Sequence, residues 1–180
     1  MNQQLLQELK TYIEKNLIKQ SIVSESGIFY ERQVPYEVEE PFQKFHRYKC
    51  TPSEEELKDY IRKTKREETF SSRLLKYIDM MGLKDAEIYK RACIDRRHFS
   101  KIRCDKNYRP KKLTAVALCL ALELDAAKTD DMLELAGYSL SNSDTGDLVI
   151  KFCIEKGIYN LIDVNEALDY FGQKGIGVVG

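Results

Sequence analysis

The sequence predicts an all-α protein, a compact bundle of short helices. Apolar residues recur at intervals of three and four over most of the 180 residues, which is the spacing of one helical face. Residues typical of helix ends separate these stretches, with Asp95 at a start and Gly82 and Gly137 at two stops. Hydrophobic residues make up 43% of the chain and charged residues 32%, a composition typical of a folded protein with a charged surface.

The N-terminal part, residues 1–69, combines a helix with an irregular extension. Residues 3–19 predict an amphipathic helix that cannot bury its apolar stripe alone, so we expect it to serve dimerisation or the docking of a protein partner. Residues 21–52 are interrupted by prolines, and we interpret them as a short hairpin followed by an extended linker. The next segment begins as a helix, with Thr51 or Ser53 as its cap and three glutamates in its first turn.

The middle part, residues 70–140, predicts five helices. The first, LLKYIDMMGL, stops at Gly82, and the second, DAEIYKRACI, runs to the turn at Cys93. The third, DRRHFSKIR, is capped by Asp95 and turns Phe99 and Ile102 inward. The fourth, LTAVALCLALEL, is apolar on most sides and is therefore predicted to be buried, and the fifth ends at Gly137.

The C-terminal part, residues 141–180, predicts two short helices packed on the same body. Each ends at a glycine, and the expected core residues are Phe152, Ile154, Tyr159, Ile162, Leu168, Tyr170 and Phe171. This part is acidic, so contact with a basic face elsewhere in the chain would inhibit binding at that face.

The charge of the chain is segregated. It carries 29 basic and 29 acidic side chains, and a zero sum argues against a nucleic-acid binder because phosphate binding usually leaves a basic excess. The three parts, however, carry −1, +4 and −3 in chain order. Residues 96–112 alone hold eight basic side chains and one acidic one, Asp105. The neutral total therefore conceals a basic segment.

This basic segment coincides with the outline of a helix-turn-helix, in which a short turn joins the second and third helices. The polar side of the third helix can extend hydrogen-bond donors into a major groove, where arginine pairs with guanine. The expected base contacts are Arg96, Arg97, His98, Ser100 and Lys101. The expected phosphate contacts, in the following loop and helix start, are Arg103, Lys106, Tyr108, Arg109, Lys111 and Lys112. Tyr108 could instead pack in the turn.

Over about residues 70–138, the sequence resembles the Cro/C1-type (Xre-like) helix-turn-helix of phage repressors and bacterial regulators. The resemblance implies a DNA-binding transcriptional regulator, with Arg96, Arg97 and Lys101 at the positions that usually touch bases. The sequence departs from the pattern at Asp85, where a glutamine commonly binds phosphate, and at Cys93, where the turn usually has glycine. Residues 68–171 also resemble a module of poorly characterised bacterial proteins, sometimes attached to macro domains, which implies a setting in stress or phage defence.

The alternative to DNA binding is a non-enzymatic interaction module, in which the same basic face is solvated or docks an acidic protein. We expect no enzyme and no cofactor, because the sequence contains no GxSxG, P-loop, GxGxxG or HExxH motif. Cys93, His98 and Cys104 are spaced unsuitably for a metal site, so we expect buried or half-buried thiols. With no signal-peptide pattern and no membrane-spanning run, we expect the chain in the cytosol.

Overall fold

The computed structural model describes residues 3–17, 52–64 and 68–177, and over these residues the chain is all-helical with no strand, as predicted. The helices are α1 Gln3–Asn16, α2 Glu54–Thr64, α3 Phe70–Met80, α4 Asp85–Arg91, α5 Arg96–Cys104, α6 Lys112–Ala121, α7 Ala126–Ala136, α8 Thr145–Glu155 and α9 Leu161–Tyr170. The hairpin and linker expected between residues 21 and 51 lie outside the described residues. None of these helices is long and apolar enough to cross a membrane.

The helices divide between two compact units, one with α2 and the other with α1 and α3–α9. In the unit that contains α2, the helix is capped by Ser53, which is one of the two predicted candidates. The Ser53 hydroxyl accepts from the Glu56 amide at 3.2 Å, and the Glu56 carboxylate accepts from the Ser53 amide at 2.8 Å. This reciprocal capping box explains why α2 begins where it does.

The core of the second unit, the helical body, surrounds α6. Every residue from Ala115 to Ala121 is buried, as its apolar sequence predicted. Helices α4, α7 and α9 pack against α6, α3 packs against α5 and α7, and α8 packs against α7 and α9. The five helices of the predicted helix-turn-helix region and the two C-terminal helices therefore share one core.

Helix α1 packs on α8 of the same chain. Leu9 is fully buried, Ile13 is buried beside it, and the ring of Tyr12 lies edge-on to that of Phe152. The Tyr12 hydroxyl donates to the Glu155 carboxylate at 2.8 Å, and burial together with this carboxylate raises the pKa of Tyr12 to about 12. The stripe that was expected to need a partner or a second copy is thus covered within the chain, and a dimer through it would require α1 to leave the body.

Several side chains of the tail and the turns depart from the predictions. Ile162 and Tyr170, expected in the core, are 76% and 49% exposed, because α9 buries the face of Leu161, Val164 and Leu168 instead. Cys93 and Cys104 are exposed rather than half-buried. Among the described cysteines, Cys119 and Cys153 are buried, and desolvation raises the pKa of each thiol to about 12.

The turn between α4 and α5 places Cys93 in the left-handed region at φ +51°. Glycine commonly occupies such a turn because a Cβ in this conformation costs about 1–2 kcal/mol. Replacement of Cys93 by glycine relieves that cost but adds about 0.5–1 kcal/mol of unfolded-chain entropy.

We therefore expect Cys93→Gly to raise the free energy of unfolding by about 0.5 kcal/mol, measured by urea denaturation. Cys93→Ala is the matched control, because it removes the thiol and keeps the Cβ, and it should produce no rise. An equal gain in both variants would assign the effect to the thiol and contradict the strain at this turn.

Candidate nucleic-acid interface

Helix α5 is fixed at its start and along its back. The Asp95 carboxylate accepts from the Arg97 amide at 2.7 Å, which caps the helix as predicted. Phe99 and Ile102 are buried, and the Phe99 ring lies 6.0 Å from that of Tyr89 on α4. Tyr89 thus joins the two helices by packing its ring against that of Phe99. The core holds one face of α5 and leaves the opposite face to solvent.

The exposed face of α5, called here the α5 face, consists of Arg96, Arg97, Ser100 and Lys101. At 3.6 residues per turn, these side chains span an arc of about 140°. In the described part of the chain, no carboxylate forms an ion pair with Arg96, Arg97 or Lys101. Their hydrogen-bond donors are therefore available to a ligand.

His98 and Tyr108 face each other rather than the α5 face. The Tyr108 hydroxyl and His98 Nε2 share a hydrogen bond of 3.0 Å, and the two rings meet edge-on at 5.8 Å. Both side chains are half-buried. His98, a predicted base contact, and Tyr108, a predicted phosphate contact, thus contact each other and hold the loop after α5 against the helix.

Arg103 is engaged with the start of α4. Its guanidinium donates to the Asp85 carboxylate, with an Nη1–Oδ1 distance of 2.6 Å. Asp85 stands where the resemblance has a phosphate-binding glutamine, and the adjacent guanidinium offsets its negative charge. The neighbouring Glu87 carboxylate accepts from the Lys84 amide at 3.1 Å and caps α4. Arg103 was predicted to bind phosphate, and in the structure its guanidinium joins α5 to α4.

Lys112 is engaged with α8. Its ammonium donates to Asp147 Oδ2 at 2.6 Å, and the same oxygen accepts from the Ser141 amide at 2.7 Å. Asp147 is buried, whereas the Lys112 side chain is about a third exposed. The acidic tail does contact the basic segment, as considered above, but it does so at Lys112 and not on the α5 face. Lys112 is thus a structural cation rather than a free phosphate contact.

Three predicted phosphate contacts remain open, namely Lys106, Arg109 and Lys111. All are exposed, and within the described ranges no carboxylate pairs with them. They lie in the loop that follows α5. Two features shape this loop: Pro110 is buried, and the Asp105 carboxylate accepts a hydrogen bond from the Asn107 amide at 2.9 Å. These three cations extend the positive charge of the α5 face.

A groove along α3, missed by the sequence reasoning, continues this positive surface. Its volume is about 380 Å³, and its lining includes Ser71, Ser72 and Lys76 of α3 together with Arg103 and Lys106. The Ser71 hydroxyl is buried and has no hydrogen-bond partner among the residues that the structure describes. The sequence does show the polar start of α3, Thr-Phe-Ser-Ser, with Lys76 one turn later. It does not show that this stretch lies beside α5, because that position depends on tertiary packing.

The side chains of the region offer hydrogen-bond donors to a ligand. Among the residues that the structure describes, no three His, Cys, Asp or Glu side chains group closely enough to hold a metal ion. The α5 face offers guanidinium, ammonium and hydroxyl donors, which suit phosphate and base edges.

The Lys112–Asp147 contact yields a stability test. We expect Asp147→Ala to lower the free energy of unfolding by about 2–3 kcal/mol, because the Ser141 amide and the Lys112 ammonium both lose their acceptor. Asp169→Ala, on the exposed end of α9, is the matched control and should change it by less than about 0.5 kcal/mol. Urea denaturation of both variants measures the difference, and equal small effects would contradict the structural role of this contact.

Comparison with known proteins adds nothing to the geometry described above. No family model matches the chain, and the searches of curated proteins and of solved structures find no match either.

Proposed function

We propose that this protein is a DNA-binding transcriptional regulator that inserts α5 into the major groove. The observation that carries the proposal is the α5 face, where Arg96, Arg97 and Lys101 are exposed without carboxylate partners among the described residues. A solvated arginine can pair two donors with the O6 and N7 acceptors of guanine, which is the commonest specific contact to a base.

The setting of α5 supports this proposal. The helix follows α4 after a short turn, packs on α3 and α4, and presents its N-terminal half outward, as the reading helix of a helix-turn-helix does. Because Phe99 and Ile102 are buried and the Asp95 cap fixes the first turn, the exposed donors are held on a rigid support.

The flanking cations supply the complementary role of phosphate binding. Lys106, Arg109 and Lys111 lie after α5, where contacts to the DNA backbone would set the position and orientation of the helix. The Arg103 guanidinium offsets the charge of Asp85, so the start of α4 carries less repulsion than the sequence suggested. With a zero net charge on the whole chain, we expect binding to be modest and to weaken steeply with salt.

The first test addresses base recognition. A preferred duplex is selected from a random library, and the affinities of wild type, Arg96→Ala and Arg97→Ala for it and for an unrelated duplex are measured. We expect each change to weaken binding to the preferred duplex by about 1–3 kcal/mol and to reduce discrimination.

Lys15→Ala removes one exposed cation of α1 and is the matched control; it should leave discrimination unchanged. If both arginine variants retain wild-type affinity and preference, the placement of α5 in the groove is wrong.

The second test addresses phosphate contact through two adjacent lysines. For Lys111→Ala we expect the slope of log affinity against log salt to flatten by about one unit, because one fewer phosphate is neutralised. Lys112→Ala should instead lower stability, since its ammonium is held by Asp147. Affinities measured from 50 to 200 mM salt distinguish the two lysine variants, and Lys15→Ala is the control. An unchanged slope for Lys111→Ala would contradict the phosphate contact.

The second candidate is a non-enzymatic interaction module. The observation that favours it is a cavity of about 380 Å³ between α4, α6 and α9, lined in part by Leu120, Leu161 and the strongly exposed Ile162. Exposed apolar surface at a groove is typical of protein contacts. Absence of duplex binding by the wild-type protein at 50 mM salt would favour this candidate over the first.

A further inference from the structure

A second site on the body is a small cavity between α1, α7, α8 and the residues that join α7 to α8. Its volume is about 260 Å³. Since a water molecule takes about 30 Å³ in the liquid, the cavity has room for about nine waters, or for an organic molecule with a similar number of non-hydrogen atoms. None of the α5 face residues lines it, so its role is separate from the proposed DNA contact.

The polar lining of the cavity has more acceptors than donors. Its polar members are Tyr12, Asn16, Thr129, Asp130, Asn142, Lys151 and Glu155. Two of these are carboxylates and one is an ammonium. The cavity therefore favours a ligand that carries positive charge and donates hydrogen bonds.

Three donors of this lining are used within the protein. The Tyr12 hydroxyl donates to Glu155 Oε1 at 2.8 Å, and the Lys151 ammonium donates to Asn142 Oδ1 at 2.7 Å. The Asn16 amide nitrogen donates to the Tyr12 carbonyl at 2.8 Å. Each of these contacts uses one N–H or O–H donor, so the Lys151 ammonium keeps two donors and the Asn16 amide keeps one.

The acceptors, by contrast, remain open. No described residue forms an ion pair or hydrogen bond with the Asp130 carboxylate. The Asn16 side chain keeps its carbonyl oxygen, and Glu155 keeps its second carboxylate oxygen. These groups belong to three different helices.

The remaining wall is apolar. Ala126, Leu140 and Ile154 line it, and the last two are buried in the core. An aliphatic chain can therefore lie against one part of the cavity while a charged group reaches the carboxylates.

We propose that this cavity binds a small alkylguanidinium compound, with a chain of about four carbons along the apolar wall. The Asp130 carboxylate pairs with the guanidinium, which has further N–H donors for the open oxygens of Glu155 and Asn16 in the same lining. Because α1 supplies one wall and α7 and α8 supply the others, the bound ligand holds α1 on the body and stabilises the folded state.

Calorimetric titration with butylguanidine tests the proposal, and butylurea is the neutral ligand of matched size. We expect butylguanidine to bind with a Kd on the order of 0.1–1 mM, as its small size implies, and butylurea to bind at least tenfold more weakly. Equal affinities for the two ligands would overturn the proposal, because the carboxylates would then contribute nothing.

The matched protein variants are Asp130→Asn and Asp131→Asn, neighbouring residues of α7 with the same change of charge. Both are exposed, and only Asp130 lines the cavity. We expect Asp130→Asn to weaken butylguanidine binding at least tenfold and Asp131→Asn to leave it within twofold, with circular dichroism to verify that both fold. Equal effects of the two changes would show binding by diffuse surface charge and overturn the site.

A guanidinium group could also come from an arginine side chain of another protein. A blocked Gly-Arg-Gly peptide distinguishes this source, and we expect it to bind at least tenfold more weakly than butylguanidine, because a volume of about 260 Å³ takes only about nine non-hydrogen atoms. Tighter binding of the peptide would overturn the assignment to a small molecule. None of these outcomes depends on whether α5 binds DNA.

Discussion

Helix α6 has no polar face, and the rest of the helical body is arranged to cover it. Its residues from Ala115 to Ala121 are all buried, so a helix must lie on each side of it to exclude water. Helices α4, α7 and α9 supply that cover. The position of α4 in turn sets where α5 lies, because the turn between these helices is short and Tyr89 packs against Phe99. The exposed α5 face is therefore a geometric consequence of burying α6.

The basic segment divides into cations that support the fold and cations that remain open to a ligand. Arg103 contacts Asp85 and Lys112 contacts Asp147, and each contact joins two helices. The side chains of the α5 face and the loop cations after it have no such role among the described residues. A partly buried ion pair holds its geometry because removing one partner leaves the other charge poorly solvated. The count of eight basic residues thus overstated the charge available to DNA.

Much of the fold was predictable from local signals, because caps and helical periods depend on residues close in sequence. Asp95, Gly137 and the buried pair Phe99 and Ile102 were all identified in this way. The exposure of Ile162 was not predicted, since an apolar residue gives no indication of which side of a short helix meets the core. The His98–Tyr108 contact and the groove beside Ser71 were also missed, because they depend on how helices and loops pack. For the candidate site, the residue types were readable, but their partners required the three-dimensional structure.

The packing of α1 on α8 has a consequence for the order in which the chain matures during synthesis. Tyr12 and Glu155 are 143 residues apart, so the ribosome must add nearly the whole helical body before this contact can form. At about 5–20 residues per second, the delay is on the order of ten seconds. Over that interval Leu9 and Ile13 lack the surface that later buries them, and a nascent helix with an uncovered apolar stripe is a substrate for chaperones. Helix α1 thus emerges before the rest of the helical body and is among the last of its helices to reach its native packing.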